Sequence, residues 1–213
     1  MKRLLLAVVV CAPATLPFAA WAESGRDPFT QGSAEAGAAK AATCVACHGP
    51  AGSSSNPEWP KLAGQGSRYL YEQLKRFKAG ERKNPLMAAQ AAALSDQDMR
   101  DLAAYFAAQP FAPGVASASA VPVAQKLYRA GDAARGLPAC AACHLPDGAG
   151  VAASGYPRLG GQHATYAAKM LREYRDLAAQ GALEGNPGIM AAVAAKLSDA
   201  EIEALASYIN GLQ

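Results

Sequence analysis

Cys44-Val45-Ala46-Cys47-His48 is the stretch that decides how this chain is read, and it recurs as Cys140-Ala141-Ala142-Cys143-His144. Two cysteines three residues apart point the same way on a helical turn. Cys-x-x-Cys-His is the attachment site of a c-type haem. Each thiol can form a thioether with one vinyl group of the porphyrin. The adjacent imidazole then falls over the ring and can hold the iron as its proximal ligand. Other uses of these residues fit less well. Structural zinc needs four thiolate or imidazole donors to converge, yet the two pairs lie 96 residues apart in separate repeats. A thioredoxin-like redox pair lacks its βαβ setting. Disulfides leave His48 and His144 unexplained. Two covalently bound haem c groups are therefore expected, through Cys44, Cys47, Cys140 and Cys143, with His48 and His144 on the irons.

The motifs are part of a longer repeat. Pro60-Lys61-Leu62-Ala63-Gly64-Gln65 returns as Pro157-Arg158-Leu159-Gly160-Gly161-Gln162. Tyr69, Leu74 and Phe77 return as Tyr166, Leu171 and Tyr174. Asn84-Pro85-Leu86-Met87 returns as Asn186-Pro187-Gly188-Ile189-Met190, and Leu94-Ser95-Asp96 with Tyr105 as Leu197-Ser198-Asp199 with Tyr208. The offset is 96 at the Cys motifs, 97 at Gly64 and 103 at the Met, so the second copy carries about six extra residues around 178–185. Composition bias does not keep Cys, His, Pro and Met in order, so a whole small domain has been duplicated. A domain of this size is marginal alone, and covalent haem supplies the missing apolar surface.

Each copy reads as helices joined by Gly/Pro-rich loops. In the first, a helix is expected from Ser33 through Gly37 into Cys44. Ser67 is expected to cap a second, which Gly80 ends. Asn84 to Met87 reads as a loop, and Ser95 with Asp98 as the capping box of a final helix. Gln109 to Pro122 has three Pro, one Gly and no charge, and is read as the linker between domains.

Haem iron needs a sixth ligand or an open position. Met99 and Met170 read as core filler. Met87 and Met190 differ, because both follow Asn-Pro and both stand seven residues before a Leu-Ser-Asp helix start. They are the candidate distal ligands. A neutral thioether favours Fe(II) and raises the potential. With both positions filled, electron transfer is expected rather than bond-making. Pro60 and Pro157 are candidate acceptors for the proximal imidazole N–H, with Leu62 and Leu159 packed on the ring. Tyr69, Tyr105, Tyr166 and Tyr208 read as haem-edge or helix-packing residues, and His163 as a surface residue at a helix start.

Lys2-Arg3, the apolar run from Leu4 to Val10 and Ala20-Trp21-Ala22 read as a cleaved signal peptide over 1–22. Its removal lowers the formal charge from +3 to +1 and leaves only the four motif cysteines. That balance gives no support to nucleic-acid binding. Residues 68–83 are locally basic, read as a solvated helix face or, more sharply, as a docking patch for one redox partner.

This pattern resembles the dihaem cytochrome c4 family over essentially the whole mature chain. The resemblance implies an all-α fold of two tandem class-I cytochrome c domains, 23–109 and 123–213, related by a pseudo-twofold and joined by linker 110–122. It implies His48/Met87 and His144/Met190 iron, and haem edges facing each other across the interface. It also implies periplasmic electron carriage between partners such as a quinol-oxidising complex and a terminal oxidase, with peripheral association at membrane complexes. A fixed cytochrome subunit of a periplasmic dehydrogenase is the nearest alternative, and a dihaem redox enzyme a more distant one.

Overall fold

The computed structural model describes residues 25–181 and 184–213. The expected signal peptide, 1–22, lies outside the described residues. Ten α-helices and three short 3₁₀ turns make up the regular structure among the described residues, with isolated β-bridges and no strands.

The first copy holds α1 (Ala34–Lys40), α2 (Ala42–His48), α3 (Ser67–Lys78), α4 (Pro85–Ala92) and α5 (Asp96–Ala107). The second holds α6 (Val121–Ala130), α7 (Ala141–His144), α8 (Ala164–Ala179), α9 (Gly185–Ala194) and α10 (Asp199–Asn210). The single helix expected from Ser33 into the first Cys motif is two helices. Ser33 caps α1 through Ala36 N–H, and Ala41 both ends α1 and begins α2. Helix α1 lies tightly on α5, so a Cβ at Gly37 would run into the Asp101 carbonyl.

Three local expectations shift. Gly66, not Ser67, occupies the N-cap of α3; Ser67 is buried, and its hydroxyl donates to Asp27 Oδ1 at 2.9 Å. Ala79 is the C-cap, and Gly80 follows in the left-handed region at φ +72°. Asn84 to Met87 is not a loop, because Asn84 caps α4 and Met87 lies in its first turn. The capping box at Ser95/Asp98 is present, with its counterpart at Ser198/Glu201. In the second copy, α8 has 16 residues against 12 in α3, so about one helical turn absorbs most of the insertion.

Each copy has its own core. Leu70, Leu102, Ala103 and Phe106 anchor the first, with Cys44, Leu62 and Leu74 packed against them. Leu127, Tyr128, Ile202, Leu205 and Tyr208 anchor the second, with Cys140, Leu159 and Leu171 against them. In both, the Cys motif and the Pro-x-Leu segment lie on the same apolar cluster. The stretch read as a linker is docked rather than a free tether. Gly114 N–H donates to Asn210 O (2.8 Å), Ser117 N–H to Ser207 Oγ (2.9 Å), and Phe111 lies under the Arg158 guanidinium (3.9 Å). Helix α6 begins at Val121, inside that stretch.

Candidate functional site

The two candidate sites are built alike. His48 ends α2 and His144 ends α7, and both are buried. The Pro60 carbonyl accepts from His48 Nδ1 at 2.9 Å, and the Pro157 carbonyl from His144 Nδ1 at 3.0 Å. A carbonyl can only accept, so Nδ1 carries the proton in each ring and Nε2 keeps its lone pair. Burial pulls both imidazoles below the usual histidine pKa, against the opposing effect of the proline carbonyl. Both rings are therefore neutral, the form that ligates a metal.

The Pro carbonyls are held in place by matching turns. Gly52 O accepts Leu62 N–H at 2.8 Å, and Gly148 O accepts Leu159 N–H at 2.7 Å. Gly64 N–H donates to Phe106 O and Gly161 N–H to Ile209 O, tying each Pro-x-Leu segment to the final helix of its own copy.

The donor set fits covalent haem. Each motif presents two free thiols beside one imidazole with an available nitrogen. Burial pushes the Cys44 thiol up and the Cys140 thiol up to about 11. Such thiols are protonated at neutral pH. No group of three or more His, Cys, Asp or Glu converges among the described residues. Met87 and Met190 are both half-buried, on α4 and α9. Their settings differ. Asn84 Oδ1 accepts Met87 N–H at 3.0 Å as a helix cap, whereas Asn186 Nδ2 donates to Ser154 O at 2.9 Å and caps nothing.

The sites meet at an interdomain seam built by contacts beyond those expected from the motifs. Gln162 Oε1 accepts Lys61 N–H (2.9 Å), and Gln162 Nε2 donates to Lys61 O (3.0 Å). In mirror fashion, Gln65 Oε1 accepts Arg158 N–H (2.7 Å), and Gln65 Nε2 donates to Arg158 O (2.9 Å). Lys61 Nζ donates to Ala112 O and Gly161 O, and Arg158 Nε to Gly64 O. This exchange of equivalent contacts is what an isologous twofold interface produces. The repeat of Gly-Gln was the available signal.

Other expectations relocate at this seam. His163 does occupy the N-cap of α8, but it is half-buried and its Nε2 donates to Ser54 O of the other domain at 2.8 Å. Arg82, read as part of an exposed basic patch, turns inward. It donates to Gln73 Oε1 (2.8 Å) and to Tyr166 OH and Met170 Sδ (2.9 Å each), and stacks on Phe77. Arg68 reaches Ala153 O across the seam. The outward basic residues of that segment that are exposed and make no cross-domain bond are Lys75, Lys78 and Lys83. Tyr69 and Tyr166 lie close to Arg82, while Tyr105 packs on Phe106 and Tyr208 on Tyr128.

A family model for cytochrome c matches twice, over residues 34–109 and 124–213. Cytochrome c4 of Pseudomonas aeruginosa is 49% identical over 181 residues, covering 85% of this chain and 89% of that protein. The chain belongs to the cytochrome c4 family. The crystal structure of reduced recombinant cytochrome c4 from Pseudomonas stutzeri superposes with a TM-score of 0.81 at 47% identity, covering 85% of this chain and all of that one. A protein of Stutzerimonas stutzeri named thiosulfate dehydrogenase electron acceptor is 37% identical over 213 residues, 98% of this chain and 95% of that protein. As a cytochrome c4, the chain is an all-α, dihaem electron-transfer protein with its haems on the two Cys motifs. The bound haem supplies one-electron exchange between Fe(III) and Fe(II). The polypeptide's part is to orient the imidazoles, wall off water and fix one domain against the other.

Proposed function

We propose that this cytochrome is a periplasmic carrier that takes electrons from a quinol-oxidising complex and passes them toward a terminal oxidase. In this reading residues 1–22 are a signal peptide, 23–109 and 123–213 are the two haem domains, and 110–122 joins them. Cys44, Cys47, Cys140 and Cys143 hold the porphyrins, and Pro60, Leu62, Pro157 and Leu159 line the pockets. His48 with Met87, and His144 with Met190, ligate the irons.

The observation that carries the reading is the twice-built imidazole, neutral and oriented by a proline carbonyl, with a methionine at the same distance before the last helix of each copy. Two His/Met irons have no vacancy for a substrate, which favours carriage over catalysis. No described helix is long and apolar enough to cross a membrane, in keeping with peripheral docking. A second reading is favoured by the relative named as an electron acceptor of thiosulfate dehydrogenase: this chain would then serve a periplasmic dehydrogenase as its acceptor or fixed subunit. Co-purification with such an enzyme would favour that alternative.

The ligand assignment is tested by Met87→Ala and Met190→Ala in the holoprotein. Each is expected to remove about half of the Fe(III)–Met charge-transfer absorbance, and to convert one high-potential transition to a lower one. A variant that keeps the band at full strength would show that its methionine is not on the iron.

A further inference from the structure

We infer that Gln65 and Gln162 are positioning residues through which each domain tunes the haem of the other. The inference rests on His48 and His144 being the proximal ligands.

One peptide unit serves two partners in each copy. The Pro60–Lys61 peptide accepts from His48 Nδ1 with its carbonyl (2.9 Å) and donates its N–H to Gln162 Oε1 of the other domain (2.9 Å). The Pro157–Arg158 peptide accepts from His144 Nδ1 (3.0 Å) and donates its N–H to Gln65 Oε1 (2.7 Å). The amide is a resonance system, so N–H donation shifts charge onto the carbonyl oxygen and makes it a better acceptor. Hydrogen bonds linked this way polarise one another. A stronger acceptor draws the imidazole N–H toward it, raises the basicity of Nε2 and stabilises Fe(III) over Fe(II). Each glutamine therefore lowers the potential of the haem across the seam, while its own domain's histidine leans on the opposite glutamine.

Both amides are fixed in orientation. Gln65 Oε1 also accepts Gly66 N–H (2.9 Å), and Gln162 Oε1 accepts His163 N–H (3.0 Å), the N-cap residues of α3 and α8. Each Nε2 donates to the carbonyl that follows the bridged N–H. Three bonds per side chain leave no freedom to flip, and Gln65 is buried. A partner that shears the seam would lengthen both bridges and move both potentials together.

The test uses the holoprotein and the near-isosteric variants Gln162→Met and Gln65→Met. Potentiometric titration is followed through haem methyl NMR signals, so that each potential is assigned to its domain. The proximal Nδ1–H signals are read in the reduced, diamagnetic state. Gln162→Met is expected to raise the potential of the N-terminal haem and move the His48 Nδ1–H signal upfield, leaving the C-terminal haem unmoved. Gln65→Met is expected to give the mirror result. A shift confined to the substituted residue's own domain, an equal shift in both domains, or no shift would overturn the inference. Absence of proximal-histidine signals in the unsubstituted protein would instead defeat the ligand reading, before any variant is compared.

Discussion

Asp101 carries no chemistry in the haem site, yet it should decide whether the first Cys motif is held in place. It lies on α5 and is 3% exposed. Its Oδ1 accepts Ser33 N–H at 2.9 Å and Gln97 Nε2 at 2.8 Å, and its Oδ2 accepts Lys40 Nζ at 2.8 Å. These bonds fasten both ends of α1, which runs directly into the motif helix α2. In Asp101→Ala the Lys40 ammonium keeps Asp98 at 2.6 Å and returns to water, so the ion pair contributes little to the loss. The Ser33 N–H is different, because it is half-buried and loses its charged acceptor. Leaving such a donor without its partner costs about 1–3 kcal/mol, and the recovered solvation penalty of the carboxylate offsets part of it, so the net loss should be about 1 kcal/mol. For a domain of this size that corresponds to a fall of about 5 °C in Tm. Differential scanning calorimetry of the holoprotein should show the fall in the transition of the N-terminal domain, with faster amide exchange along α1. The equivalent position in the second copy is Ala204, so its transition should move less. Asp101→Asn keeps an acceptor for Ser33 N–H and should cost about half as much. If Asn costs as much as Ala, or if Ala lowers Tm by less than about 3 °C, the backbone donor is not what matters and the reasoning fails.

Two further outcomes are expected. Leu145 follows His144 at φ +66° and ψ 158°, where the first copy has Gly49 at φ +75° and ψ 169°. Leu145→Gly should relieve about 1–3 kcal/mol of strain against about 0.5–1 kcal/mol of added chain entropy. The result should be a net gain of about 1 kcal/mol in denaturant titration, while Gly49→Leu should lose stability. At Glu201, the bonds from Arg135 (2.7 and 3.1 Å) draw the carboxyl down to about 2. A depressed carboxylate contributes stability that is present above its unfolded pKa of about 4.3 and lost as the pH falls through the folded value. Thermal stability should therefore decline between about pH 4.5 and pH 2. Glu201→Gln should flatten that part of the slope, and an unchanged slope would count against the assignment.

Much of the fold was legible because the duplication wrote it twice. The Cys motifs, the Pro-x-Leu turns and the Ser-Asp helix starts obey local rules of spacing and capping, and these operate within a few residues of sequence. Helix α4 differs from the expected loop for a local reason. Asn-Pro punctuates loops, but Asn at an N-cap followed by Pro at the first helical position is also a start signal. The break at Ala41 and the inward turn of Arg82 were not legible. The first depends on how α1 is pulled onto α5 by Asp101, and the second on Tyr166 and Met170, more than 80 residues away. His163 escaped for the same reason. Its counterpart is Gly66, so the repeat argued against a role, whereas its partner Ser54 lies in the other domain.

The seam explains why some positions kept their identity through the duplication and others drifted. In an isologous interface each residue acts twice, so one glutamine type at 65 and 162 supplies both bridges. A change in either copy breaks one bridge and strands a peptide N–H in the same peptide unit that accepts from His48 or His144. Lys61 and Arg158 differ in type because the bridges use their backbone atoms, and either cation reaches the equivalent carbonyl across the seam, Gly161 O for Lys61 and Gly64 O for Arg158, with Ala112 O an extra partner of Lys61. Gly66 and His163 diverged further, since what the glutamine requires there is only a backbone N–H. Those divergences are where the contacts of the two copies became unequal. His163 adds a bond to Ser54 that has no mirror image, and Arg82 adds a cation whose partners Tyr166 and Met170 lie in the second domain. A carrier made of two identical sites would present the same potential at both. Here symmetric bridges hold the peptides that accept from His48 and His144 in one frame, and the asymmetric contacts around them make the two sites unlike.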